Sequence, residues 1–167
     1  MKRFILSDLH IGHPQAQYDV MDQAIAYIDQ NVSPSDEILG LGDWFHMTEE
    51  GFSTCINHAM AQKFCDLASR VPTKYIPGNH DYELEAYRDE PGSPNPIAPI
   101  SLIEPFSENG IWYCHGHDHD PICEYFPHWW HRLWAQFVRI VMKQNTPGVL
   151  KGESITQTYL LAVDMVH

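Results

Sequence analysis

Pro77-Gly78-Asn79-His80-Asp81-Tyr82 sets an amide, an imidazole and a carboxylate side by side. They follow Lys74-Tyr75-Ile76, a short β-prone run, in a turn opened by proline and glycine. Glycine permits backbone conformations that a side chain forbids, so neighbouring groups can crowd one point. The three groups suit a hard or borderline divalent cation and proton transfer. A plainer reading is a turn whose Asn and Asp bond their own backbone. Recurrence weighs against that reading. Asp8 and His10 follow Arg3-Phe4-Ile5-Leu6, and Asp43 follows Gly42 after Glu37-Ile38-Leu39-Gly40-Leu41. His115, His117 and His119 follow Ile111-Trp112-Tyr113-Cys114. If residues 7–10 stay extended, Asp8 and His10 point the same way, because strand side chains alternate.

Strands and helices must bring these groups together. Met21, Ala24, Ile25 and Ile28 keep helical spacing between the first two strands, which predicts a βαβ unit and a parallel pair. Ser33-Pro34-Ser35-Asp36 turns the chain back after that helix. Phe52, Cys55, Ile56, Ala59, Met60 and Phe64 predict a second helix up to Arg70, before a third strand over residues 73–76. Ligand sites in open α/β sheets lie at the carboxyl ends of the strands. Four prolines between residues 91 and 99 make a stiff loop. Residues 100–106 and 111–114 read as paired strands around Ser107-Glu108-Asn109-Gly110. An aromatic helix over residues 127–144 carries Trp130, Leu133, Trp134, Phe137, Val138 and Val141 on one face. That face suits core packing, a cap over the site, or self-association. Ile155, Tyr159, Ala162, Val163 and Val166 predict a last amphipathic helix.

Composition bounds the rest. A chain of 167 residues supports one domain, 1–167, burying roughly two-thirds of its unfolded surface. The net charge of -12 argues against a broad grip on nucleic-acid phosphates, which needs many Lys and Arg. Cys55, Cys65, Cys114 and Cys123 form no CxxC pair and read as reduced thiols of a cytoplasmic protein. Only three apolar residues follow Lys2-Arg3 before Ser7, too few for a signal peptide, and no apolar run reaches the ~20 residues of a membrane span.

In order, the clusters are Asp8-x-His10, Gly42-Asp43, Gly78-Asn79-His80-Asp81 and His115-Gly116-His117. This set resembles the calcineurin-like metallophosphoesterase superfamily, from Arg3 to about Pro121. The resemblance implies two β-sheets packed face to face between helices, a four-layer αββα arrangement. It implies two divalent cations, Mn2+ first, with Zn2+, Fe2+, Ni2+ or Mg2+ as alternatives. Asp8 and His10 would bind the first ion, Asp43 would bridge, and Asn79 and His115 would bind the second. His80 would face the leaving group, with Asp81 orienting its ring. The activity implied is hydrolysis of a phosphomonoester, phosphodiester or pyrophosphate bond by a metal-bridging hydroxide. One departure qualifies this: the family closes its site with a later Gly-His-x-His, and nothing after residue 131 supplies one. Either the chain stops before that strand, leaving a three-ligand or partner-completed site, or His117 and His119 take its place. An impaired binding module is therefore the alternative function. His13 and His46 are expected to line the cleft rather than bind metal.

Overall fold

The computed structural model describes residues 1–89, 92 and 94–116, and the backbone of residues 160–164. The predicted aromatic helix, with His117, His119 and Cys123, lies outside them. Strand β1 (Lys2–Leu6) leads through helix α1 (Tyr18–Asn31) to β2 (Glu37–Leu41). Three short helices follow: α2 (Met47–Glu50), α3 (Phe52–Ile56) and α4 (Ala59–Ala68). Then come β3 (Thr73–Ile76), a 3₁₀ turn over Tyr82–Leu84, α5 (Glu85–Asp89) and β4 (Ser101–Leu102). A hairpin of β5 (Phe106–Glu108) and β6 (Ile111–Tyr113) precedes β7 (Leu160–Asp164).

The five-stranded sheet has the order β4-β3-β2-β1-β7. Strands β1 to β4 run parallel, with Phe4 beside Ile38 and Gly40 beside Tyr75. Alternation along these strands divides the core in two. Phe4, Leu6, Ile38 and Tyr75 pack with Met21, Ile28, Phe64 and Leu67 from the helices. Leu39 and Ile76, with Ile5 and Leu41, pack instead against Tyr113 and Phe106 of the hairpin. The hairpin is thus a second sheet laid on the first, as expected, and helices cover the opposite face.

Arg3 pins the two sheets together. Its side chain is 3% exposed and reaches both Glu37 and Glu108. Its guanidinium also lies 4.9 Å from the centre of the Tyr113 ring. A buried cation must be paired to be tolerated, and here two carboxylates and an aromatic face do so.

Three expectations are corrected. The helix predicted from Phe52 to Arg70 breaks at Asn57-His58, because His58 takes extended backbone and its Nδ1 accepts from Met60 N–H at 3.2 Å. Residues 100–106 are not one strand: β4 joins β3, and Pro105, which has no N–H, separates it from the hairpin. The hairpin turns at Asn109-Gly110, both at positive φ, as a two-residue turn demands. Finally, the helix predicted around residues 155–166 is, over Leu160–Asp164, a strand antiparallel to β1. Leu160-Leu161-Ala162-Val163 is a continuous apolar run, which periodicity cannot assign between helix and strand. Among the described residues, no helix is long and apolar enough to cross a membrane.

Candidate metal centre

The loops leaving β1, β2 and β3 are laced together by their own backbones. Asp8 N–H donates to Gly42 O at 3.1 Å, His10 N–H to Asp43 O at 2.9 Å, and Ile11 N–H to Trp44 O at 2.7 Å. His46 N–H returns to Ile11 O at 2.9 Å, and Thr48 N–H reaches His80 O at 3.1 Å. This lacing overturns the expectation of an extended Asp8-x-His10. Asp8, His10 and Asp43 have φ of 57°, 51° and 55°, in the left-handed region that non-glycine residues seldom occupy. Such backbone persists where surrounding contacts over-determine it, and it clusters at functional sites. The two side chains still converge, held by the neighbouring loop rather than by strand alternation.

Asp8, His10 and Asp43 bring ligand atoms within 4.8 Å of one another. Asp43 also meets a second group: His115 Nε2 lies 3.3 Å from Asp43 Oδ2 and 3.2 Å from Asn79 Oδ1. Asp43 is therefore the residue that both groups share. Its Oδ1 accepts the His80 backbone N–H at 2.8 Å, which ties the third loop to the second. Two glycines make room for this approach. A Cβ on Gly78 would stand 2.3 Å from Asp43 Oδ1, and one on Gly42, at φ +78°, would stand 2.3 Å from the His115 ring. At Gly78 the need is close approach, not positive φ.

Charges follow the geometry. Burial opposes ionisation of Asp43, but the His115 hydrogen bond and charge outweigh it and bring the carboxyl down to about 2. Burial likewise disfavours the His115 cation, yet Asp43 and the Leu41 carbonyl raise the ring to about 9. His115 Nδ1 donates to Leu41 O at 2.7 Å, since a carbonyl can only accept. Once the ring is neutral, Nε2 therefore presents its lone pair beside Asp43 and Asn79. An imidazole nitrogen 3.3 Å from a carboxylate oxygen and 3.2 Å from an amide oxygen matches the spacing of neighbouring ligands around a cation with bonds of about 2.1 Å. The carboxylate, amide and imidazole donors gathered here are of the types that suit divalent cations.

The assignment of Asp81 is corrected. Its carboxylate does not reach the His80 ring; Thr48 Oγ1 does, 2.9 Å from His80 Nδ1. Asp81 is fully buried and accepts from Gly78 N–H at 2.6 Å, Phe45 N–H at 3.0 Å and the Tyr75 hydroxyl. Burial and the Asp43 charge push its carboxyl up to about 7 against these three donors. Asp81 thus buttresses the turn that carries Asn79 and His80. Asp81→Ala leaves three buried donors without an acceptor and is expected to cost ~3 kcal/mol or more. Urea denaturation of the metal-free protein measures this, and Asp81→Asn, which keeps one acceptor, should lose less.

Sequence reasoning places His46 in the cleft but misses what it contacts there. It lies between the clusters, with Nδ1 2.9 Å from His10 Nδ1 and its ring stacked on His80 at 4.6 Å. Its nitrogens fall within 4.8 Å of ligand atoms in two groups, His10 with His80 and His13 with Glu49. Burial, then the charges of His80, His10 and His13, hold its pKa at about 3, so the ring is neutral. The letters at 43–46 carry no hint of this, because the contact is made by folding the loop at 46 back onto Ile11. His117 and His119 lie outside the described residues.

A protein-family model described as calcineurin-like phosphoesterase matches residues 1–155. The chain belongs to that family, whose members are in general metal-dependent phosphoesterases. No curated protein matches it.

Proposed function

We propose that the chain is a dinuclear metal-dependent hydrolase of a phosphomonoester, phosphodiester or pyrophosphate bond. The observation that carries this is the sharing of Asp43 between two donor groups, Asp8 with His10 and Asn79 with His115. A bound pair of divalent cations, Mn2+ first among them, supplies a nucleophile near neutral pH and neutralises phosphate charge. The chain's own residues do the rest. Asp43 holds the two sides in register, and Leu41 O fixes the tautomer of His115. His80 is held by its backbone on Asp43 and by its ring on Thr48, so it can donate a proton to a leaving oxygen without being a ligand. The metal pair also reconciles a chain of net charge -12 with an anionic substrate. The thiols of Cys55 and Cys65 support a cytoplasmic setting.

The full chain loaded with Mn2+ is expected to hydrolyse a chromogenic phosphate ester, and a chelator should abolish the activity. Two ions bound without turnover on any of the three bond types would favour the second reading, a phosphate-binding module.

A further inference from the structure

His10 and His46 face each other through their Nδ1 atoms, 2.9 Å apart. Between two neutral rings at that distance, one donates and the other accepts. If His10 accepted, its single proton would sit on Nε2, leaving no lone pair for an ion beside Asp8 and Asp43. If His10 donates, Nε2 is open to the ion, and His46 must carry its own proton on Nε2. That nitrogen is buried and has no hydrogen-bond partner among the described residues, while the side chain of His46 is 8% exposed. It faces Glu49 Oε1 at 3.5 Å, an electrostatic contact longer than a hydrogen bond. A carboxylate there favours N–H over a lone pair.

We propose that His46 is a positioning residue that, with Glu49, locks His10 in the tautomer that can ligate a cation through Nε2. This rests on the metal-dependent reading above. It also settles the role of His13, His46 and Glu49, whose ligand atoms form a third cluster within 4.8 Å. A cation in that cluster would need the Nε2 lone pair of His46. The proton of His46 would then move to Nδ1, and His10 would lose its free nitrogen. His13 argues the same way, since its Nδ1 accepts from Gln15 N–H at 3.1 Å and its own proton therefore sits on Nε2. The cluster supports the first ion rather than holding another. The ring of His46 is clamped for the task, stacked on His80 at 19° and edge-on to His13 at 4.7 Å.

The test is Mn2+ affinity of the full chain, measured by competition with a fluorescent chelator, with Co2+ absorption reporting the ligand set. His46→Leu is expected to weaken one of the two ions about 10–100-fold, whereas His46→Asn, whose amide oxygen can replace the Nδ1 acceptor, stays within roughly threefold. Co2+ bands should keep their positions in His46→Asn. Glu49→Leu, rescued by Glu49→Gln, reads the same relay from a side chain that is 27% exposed, should His46→Leu not fold. Wild-type affinity in His46→Leu overturns the proposal. So does outright loss of one ion in both His46 variants, which would make His46 a ligand, or a third ion in wild type that His13→Ala removes. A wild-type chain that takes up no cation sinks this proposal and the proposed function together. Bound ions with no turnover sink only the hydrolase reading.

Discussion

Asp43→Asn is expected to leave a folded protein that holds at most one tightly bound divalent ion and has lost its hydrolytic activity. The substitution is nearly isosteric, and an amide oxygen can still accept the His80 backbone N–H that Asp43 Oδ1 accepts at 2.8 Å. The lacing between the first and second loops does not involve the side chain, since it is the Asp43 carbonyl that receives His10 N–H. What disappears is the negative charge shared by the two donor groups. His115, raised to about 9 chiefly by that carboxylate against the pull of burial, would lose its partner. The loss in kcat should exceed ~10³-fold, because removing even one preorganised stabilising group costs about 10²–10³. Elemental analysis of the purified variant counts the ions, and a phosphate-ester assay measures turnover. Two ions and near-normal rates in Asp43→Asn would show that the bridge lies elsewhere.

The parts of this arrangement that sequence exposed are those governed by local rules. Strands β2 and β3 end where predicted because short β-prone runs stop at Gly42 and Pro77. Asp43, Asn79 and His115 were legible because each follows such a run, and the parallel pairing of β1, β2 and β3 then brings the first three loops to one edge. What local rules could not show depends on tertiary contact. Asp8 and His10 reach their places through left-handed backbone imposed by the adjacent loop, not through alternation. His46 and Thr48 enter the site because the chain after Asp43 folds back onto Ile11 and His80. Asp81 looked catalytic by adjacency, yet its carboxylate turns inward to Phe45, Gly78 and Tyr75. The apolar run at residues 160–163 had no local feature to choose strand over helix; the open edge of β1 decides it.

His80→Ala separates binding from chemistry. The backbone N–H that His80 gives to Asp43 survives the substitution, as does the carbonyl that accepts from Thr48 N–H. The ion-holding groups therefore stay in place, and the variant is expected to keep its full complement of metal. Only the imidazole is lost, along with its stack on His46 and its edge contact with His10. Thr48 Oγ1 beside Nδ1 explains how that ring can serve as an acid: a hydroxyl accepts from a protonated Nδ1 and leaves Nε2–H for the departing oxygen. For an alkyl phosphate, whose leaving oxygen needs a proton, turnover should fall about 10²–10⁴-fold. For a nitrophenyl phosphate, whose leaving group departs as a stable anion, the fall should be much smaller, so the ratio of the two losses is the diagnostic quantity. Thr48→Val should show the same leaving-group dependence more weakly, because the ring remains but its orientation loosens. Equal losses on both substrates, or release of an ion by His80→Ala, would instead place His80 among the ligands.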